Sequence, residues 1–142
     1  MARLICLFLL LPFFCIGQLP QPQKNTYVND YTQTLTAEQI YQLNLHLQKL
    51  VKVSTVQMAI LLIHHLPESL SLEDYAREVG NTWKVGNHFN GLVYVAVLQE
   101  RKQRLEVTRN LEGDIPDITA GKIIDHLKPQ LQQQQYYKAM QL

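Results

Sequence analysis

The chain has 142 residues, 46% of them apolar and 18% charged, with 13 basic and 12 acidic side chains and two cysteines. That size and composition fit one domain with its own hydrophobic core and argue against a disordered polypeptide. The flat charge balance provides no basic field, which excludes nucleic acid as the expected partner.

Residues 1–17, "MARLICLFLLLPFFCIG", read as a secretory signal. Arg3 supplies the positive start, residues 4–14 the apolar run, and Cys15 and Gly17 the small residues before a cleavage point. The competing reading is an uncleaved anchor helix, against which the run is short for crossing hydrocarbon. Pro12, Phe13 and Phe14 are too bulky for a lipid-attachment box. Both cysteines, Cys6 and Cys15, fall inside this segment, so the mature chain is expected to have no thiol and no disulfide. Loss of Arg3 also leaves 12 basic against 12 acidic residues, a formal charge of zero. The expected destination is outside the cytoplasm: periplasmic, extracellular or membrane-associated.

Residues 18–26 carry no apolar periodicity and read as an extended Pro/Gln linker, so the folded domain is expected over residues 27–142. "LTAEQ" predicts a helix start, with Thr36 as cap, Gln39 completing a capping box, and Leu35 with Ile40 as the flanking staple. Ile40, Leu43, Leu47, Leu50 and Val51 give that helix one buried face. Residues 55–63 alternate with both faces apolar, which marks a central strand. Ser71 caps a second predicted helix with Leu72, Ala76, Val79 and Trp83 inward, and residues 91–98 form a second two-faced strand. "QERK" is a hairpin turn and residues 104–108 a half-exposed strand. A third helix is expected to be capped by Asp117, with Ile118, Ile124 and Leu127 apolar; Leu131, Tyr136, Tyr137 and Met140 suggest a last one. Two buried strands joined through a helix imply a parallel pair, and the hairpin adds an antiparallel neighbour. The expected fold is therefore α/β, a three-layer α/β/α sandwich on a mixed, mainly parallel central sheet.

Common catalytic motifs are absent: no Gly-x-Ser-x-Gly, no phosphate-binding glycine-rich loop, no His-Glu-x-x-His. His64 and His65, adjacent on a strand, are expected to point to opposite faces and not to share a metal. His88 stands in the loop "VGNHFNG" (residues 85–91) and is the histidine most open to a functional role. Asp30, in "YVNDY", and the group Glu112, Asp114 and Asp117, in "NLEGDIPD", offer the oxygen ligands that hard cations such as calcium take. The alternatives are structural: a turn fixed by Asp30, a turn started by Asp114, and a helix capped by Asp117. Topology also predicts that "VGNHFNG", before a strand, and "TRNLEGDIPD", after its antiparallel partner, meet at one end of the sheet.

In order, "YVNDYTQTLTAEQ", "VQMAILLIHHLPESLSLEDYAREVGNTWKVGN", "NGLVYVAVL" and "RLEVTRNLEG" resemble the TPM domain family over about residues 27–142. That family includes thylakoid-lumen proteins of photosystem II maintenance and many exported bacterial proteins. The resemblance implies the sandwich fold, and either an accessory role for a membrane complex or a metal-assisted acid phosphatase activity on phosphomonoesters. It also implies calcium as the cofactor, held by Asp30, Asn90, Glu112 and Asp117, with Asn87, His88 and Gly91 in the adjoining loop. Phe89 replaces the family's usual aspartate before Asn90, and Thr108, Arg109 and Asn110 replace Gly-Tyr-Gly. Fewer carboxylates weaken a calcium site, and Arg109 introduces an anion-binding group. The expectation from these residues is an exported accessory or interaction module with weak divalent-cation binding. Its partner is expected to be an unidentified protein complex of the envelope or membrane. No membrane anchor follows the domain in this chain, and the end at Leu142 is open to truncation.

Overall fold

The structure is a computed structural model that describes residues 19–88 and 90–141. The expected signal at residues 1–17 lies outside the described residues, as does Phe89. Among the described residues eight β-strands and α-helices follow in chain order: β1 (Val28–Asp30), α1 (Ala37–Ser54), β2 (Gln57–Ile63), α2 (Leu72–Thr82), β3 (Gly91–Val97), β4 (Lys102–Val107), α3 (Asp117–Gln132) and α4 (Tyr136–Met140). The strands form one sheet in the order β1-β2-β3-β4, with β1, β2 and β3 parallel and β4 antiparallel to β3. Among the described residues no helix is long and apolar enough to cross a membrane.

The two faces of the central strands divide as their alternation predicts. Ile60, Leu62, Leu92, Tyr94 and Ala96 pack with Leu43 and Leu47 of α1 and Ala120 and Leu127 of α3. Ala59, Leu61, Ile63, Val93, Val95 and Val97 pack on the other side with Tyr75, Ala76 and Val79 of α2. The sheet is thus covered on both faces, the three-layer arrangement expected for a parallel α/β fold. Each fully buried aliphatic side chain contributes about 1.5–3 kcal/mol of transfer free energy.

Local signals work as read in α1 and α2. The Thr36 hydroxyl accepts from Gln39 N, and the Gln39 side chain accepts from Thr36 N, the reciprocal capping box. Ser71 Oγ accepts from Asp74 N at the start of α2.

Six details differ from expectation. Residues 28–30, for which the sequence predicts no element, form a third parallel strand, too short for any periodicity to announce it. The linker is docked: Leu19 packs on the α2-side core, and Trp83 Nε1 donates to Pro20 O at 3.0 Å. Asp117 is the first residue of α3 and not its cap; Pro116 holds the cap position, its carbonyl accepting from Thr119 N and Ala120 N. The acidic side chain there instead complements the positive helix end. Ile118 is 72% exposed, because α3 turns Ala120, Ile124 and Leu127 to the sheet. Leu131 belongs to the end of α3, and His64 and His65 lie just beyond β2, both exposed.

Candidate functional site

At the amino end of β3 the two predicted loops do meet. Gly91 N donates to Thr108 Oγ1 at 2.8 Å, and Thr108 N donates to Gly91 O at 3.0 Å. The segment before β3 is a tight 3-10 turn, Val85–His88, with Gly86 at φ 64° and Asn87 at φ 52°. Gly86 N donates to Gln57 Oε1 at 2.7 Å, and Asn90 N to Gly86 O at 3.2 Å. A Cβ on Gly86 would lie 2.5 Å from Gly91 N, and one on Gly91 would lie 2.5 Å from Val85 O. Gly91 therefore serves close backbone packing, and Asn90 the entry to β3, where its carbonyl accepts from Gln57 N at 2.9 Å.

Arg109, Glu112 and Asp117 follow β4 at this same end, and all three are exposed. Leu111 anchors the loop in the core, its carbonyl accepting from Asp114 N at 3.0 Å and Ile115 N at 2.7 Å. Asp30 lies elsewhere. The register sets it level with Leu62 and hence with Ala96, whereas Gly91 is five residues back along β3, roughly 17 Å away. Its carboxylate is used locally: Oδ1 accepts from Thr32 N at 2.8 Å and Thr32 Oγ1 at 2.6 Å, and Oδ2 accepts from Leu35 N at 2.8 Å. The structure thus joins the loops of Asn90 and Glu112, and separates Asp30 from both. The four oxygen donors Asp30, Asn90, Glu112 and Asp117 do not fit around one ion. Among the described residues no group of three His, Cys, Asp or Glu side chains is placed to hold a metal.

The opposite end of the sheet holds a cleft of about 920 Å³ over the carboxyl end of β3. It runs between the β3–β4 hairpin and the C-terminal half of α3. Arg101, Lys102 and Lys128 line it without a single Asp or Glu, beside apolar Leu98, Ile124 and Leu131. In open α/β sheets this is the end at which ligands bind. Lys102 pairs with Glu100 at 3.1 Å and Lys128 with Asp125 at 2.5 Å, whereas Arg101 forms no ion pair among the described residues. Glu100 is also held by Leu66 N–H at 2.9 Å, and this bond, with Lys102, keeps its carboxyl below the usual range. Buried Tyr94 donates to Gln103 Oε1 at 2.8 Å, and Gln103 Nε2 donates to Ile124 O at 3.3 Å, tying the hairpin to α3. Sequence reading missed this cleft because "QERK" looks like any polar turn, and Lys128 lies far from it in the chain. The one local signal was two cations at the tip of a hairpin.

The TPM domain family model matches residues 28–142, nearly all of the described chain. The chain belongs to the TPM domain family. Solved structures agree with this TPM fold. An N-terminal domain from P. gingivalis, determined by solution NMR, is 28% identical, with a TM-score of 0.74 over 81% of this chain and 74% of that one. The N-terminal domain of cg2496 from Corynebacterium glutamicum is 12% identical, with a TM-score of 0.67 over 87% and 78%. The BA42 protein of Bizionia argentinensis is 14% identical, with a TM-score of 0.67 over 78% and 76%. Among curated proteins no relative matches the sequence.

Proposed function

We propose that this TPM domain is an exported accessory module that binds a protein partner of the envelope or membrane and does not itself turn over substrate. The observation that carries this reading is the wide cation-lined cleft at the carboxyl end of the sheet, with apolar walls suited to a sizeable partner. Asp30, one of the carboxylates at that end, is taken up in closing its own loop. Export rests on residues 1–17, and mass spectrometry of protein secreted by its host is expected to find Gln18 as the first residue. Weak calcium binding is confined in this reading to the loops of Asn90, Glu112 and Asp117, and predicts a small rise in Tm at millimolar calcium.

The second reading, a metal-assisted acid phosphatase, draws support from Arg109, Glu112 and Asp117 following β4 at one end of the sheet. The deciding experiment is hydrolysis of p-nitrophenyl phosphate by the purified chain at acid and neutral pH, with calcium or magnesium. The module reading expects no rate above buffer. Metal-dependent turnover that disappears in Glu112→Gln or Asp117→Asn would replace it with the phosphatase.

A further inference from the structure

The two edges of the sheet are treated differently. At the β1 edge the N-terminal strap comes across, with Gln23 N donating to Asn29 Oδ1 at 2.8 Å. At the other edge the Thr108–Gly91 pair sets the ladder alternation, so that Arg104 and Glu106 turn their backbone groups toward β3. Gln103, Leu105 and Val107 therefore turn theirs away from the sheet. Among the described residues their N–H groups have no backbone or side-chain acceptor. An edge of this kind is a template for an added strand, and helices flank it on both faces, α2 through Arg77–Glu106 and α3 through Gln103–Ile124.

The cationic cleft opens at the start of this same edge, since Lys102 and Gln103 of β4 both line it. We propose that β4 and the cleft together bind an extended peptide segment of a partner protein, added as a strand beside β4, with its acidic end at the hairpin. This rests on the reading of the chain as a binding module and names the chemistry of its partner. Charge complementarity fixes the direction of the preference. Among the described residues Arg101 has no carboxylate partner, and the exposed pairs of Lys102 and Lys128 exchange partners at little cost. Further along β4, Arg77 and Arg104 are already met by Glu73, Asp74 and Glu106, so that stretch attracts no further acid. The favoured segment is thus acidic at one end and neutral, β-prone along the rest.

The test is fluorescence anisotropy with the purified chain and a labelled octapeptide, two glutamates followed by alternating valine and threonine. Saturable binding is expected, weakening as salt rises. A lysine-headed analogue is expected to bind at least tenfold more weakly. So is a peptide N-methylated at alternate amides, which removes strand pairing without altering the protein. Arg101→Glu with Lys128→Glu is expected to cost tenfold or more with an unchanged melting curve. Absence of saturable binding, or equal affinity for the methylated or lysine-headed peptide, overturns the proposal. Failure here is distinguishable from failure of the module reading: lack of peptide binding without phosphatase turnover removes only the strand addition, whereas turnover removes the module reading itself.

Discussion

Gly86 and Gly91 show how a short polar stretch is decided by single atoms. In the family resemblance Asn90 and Gly91 look like parts of an ion site, yet the geometry explains Gly91 by contact alone, its missing Cβ leaving room for Val85 O. Gly86 adds a left-handed backbone at φ 64°. Gly86→Ala is expected to destabilise the fold by about 2–3 kcal/mol, combining the conformational penalty with the clash at Gly91 N. Gly113→Ala is the control, because nothing lies within 4 Å of a Cβ built there, and its change is expected within about 0.5 kcal/mol. Urea unfolding of both variants measures the contrast; equal losses would mean that the turn relaxes around the added methyl. Asp30 was readable as either ligand or turn-maker from the sequence, and only the positions of Thr32 N and Leu35 N decide for the turn. Such short-range choices depend on backbone paths that residue identity does not encode.

At the scale of elements, what was legible had a strong period or a cap. The apolar alternation of β2 and β3, the capping box of α1 and the Ser71 cap of α2 all carry their cause in adjacent residues. β1 was hidden for the opposite reason: three residues, one of them a buried polar Asn29, whose pairing with β2 comes from a segment about thirty positions away. The strap was hidden too, since a Pro/Gln composition reads as linker whether or not it docks. Its docking makes a prediction. Trp83 is the one tryptophan of the chain and its indole N–H donates to Pro20. Removing residues 19–23 strips Leu19 from the α2-side core and frees the indole, so tryptophan emission is expected to shift to the red. Stability is expected to fall by about 1–3 kcal/mol, from lost apolar burial and hydrogen bonds. Unchanged emission would show that the strap does not hold this position in solution.

For the whole molecule, the site was the least legible part, because strand order and register decide which loops share an end. Asp30 closes β1 and Asn90 precedes β3, and nothing in composition says that they lie at opposite ends. Burial of polar groups at the same scale sets the response to pH. Burial pushes the Tyr75 phenol up to about 12, with Tyr31 and Glu78 adding to the effect, and burial also raises Tyr94. The folded state therefore favours the neutral phenols, while the unfolded chain ionises near pH 10. The unfolded state holds fewer protons in that window, so the stability that these groups add is complete below about pH 10 and is lost as pH rises toward 12. The melting temperature is expected to fall steeply above about pH 10, and absorbance at 295 nm to show late tyrosinate formation released on unfolding. Tyr75→Phe keeps the ring that packs in the α2-side core and removes the proton. Its melting temperature is expected to fall less steeply over this window than that of the parent chain. Parallel pH slopes for the two proteins would assign the alkaline loss to other groups and remove Tyr75 from the account.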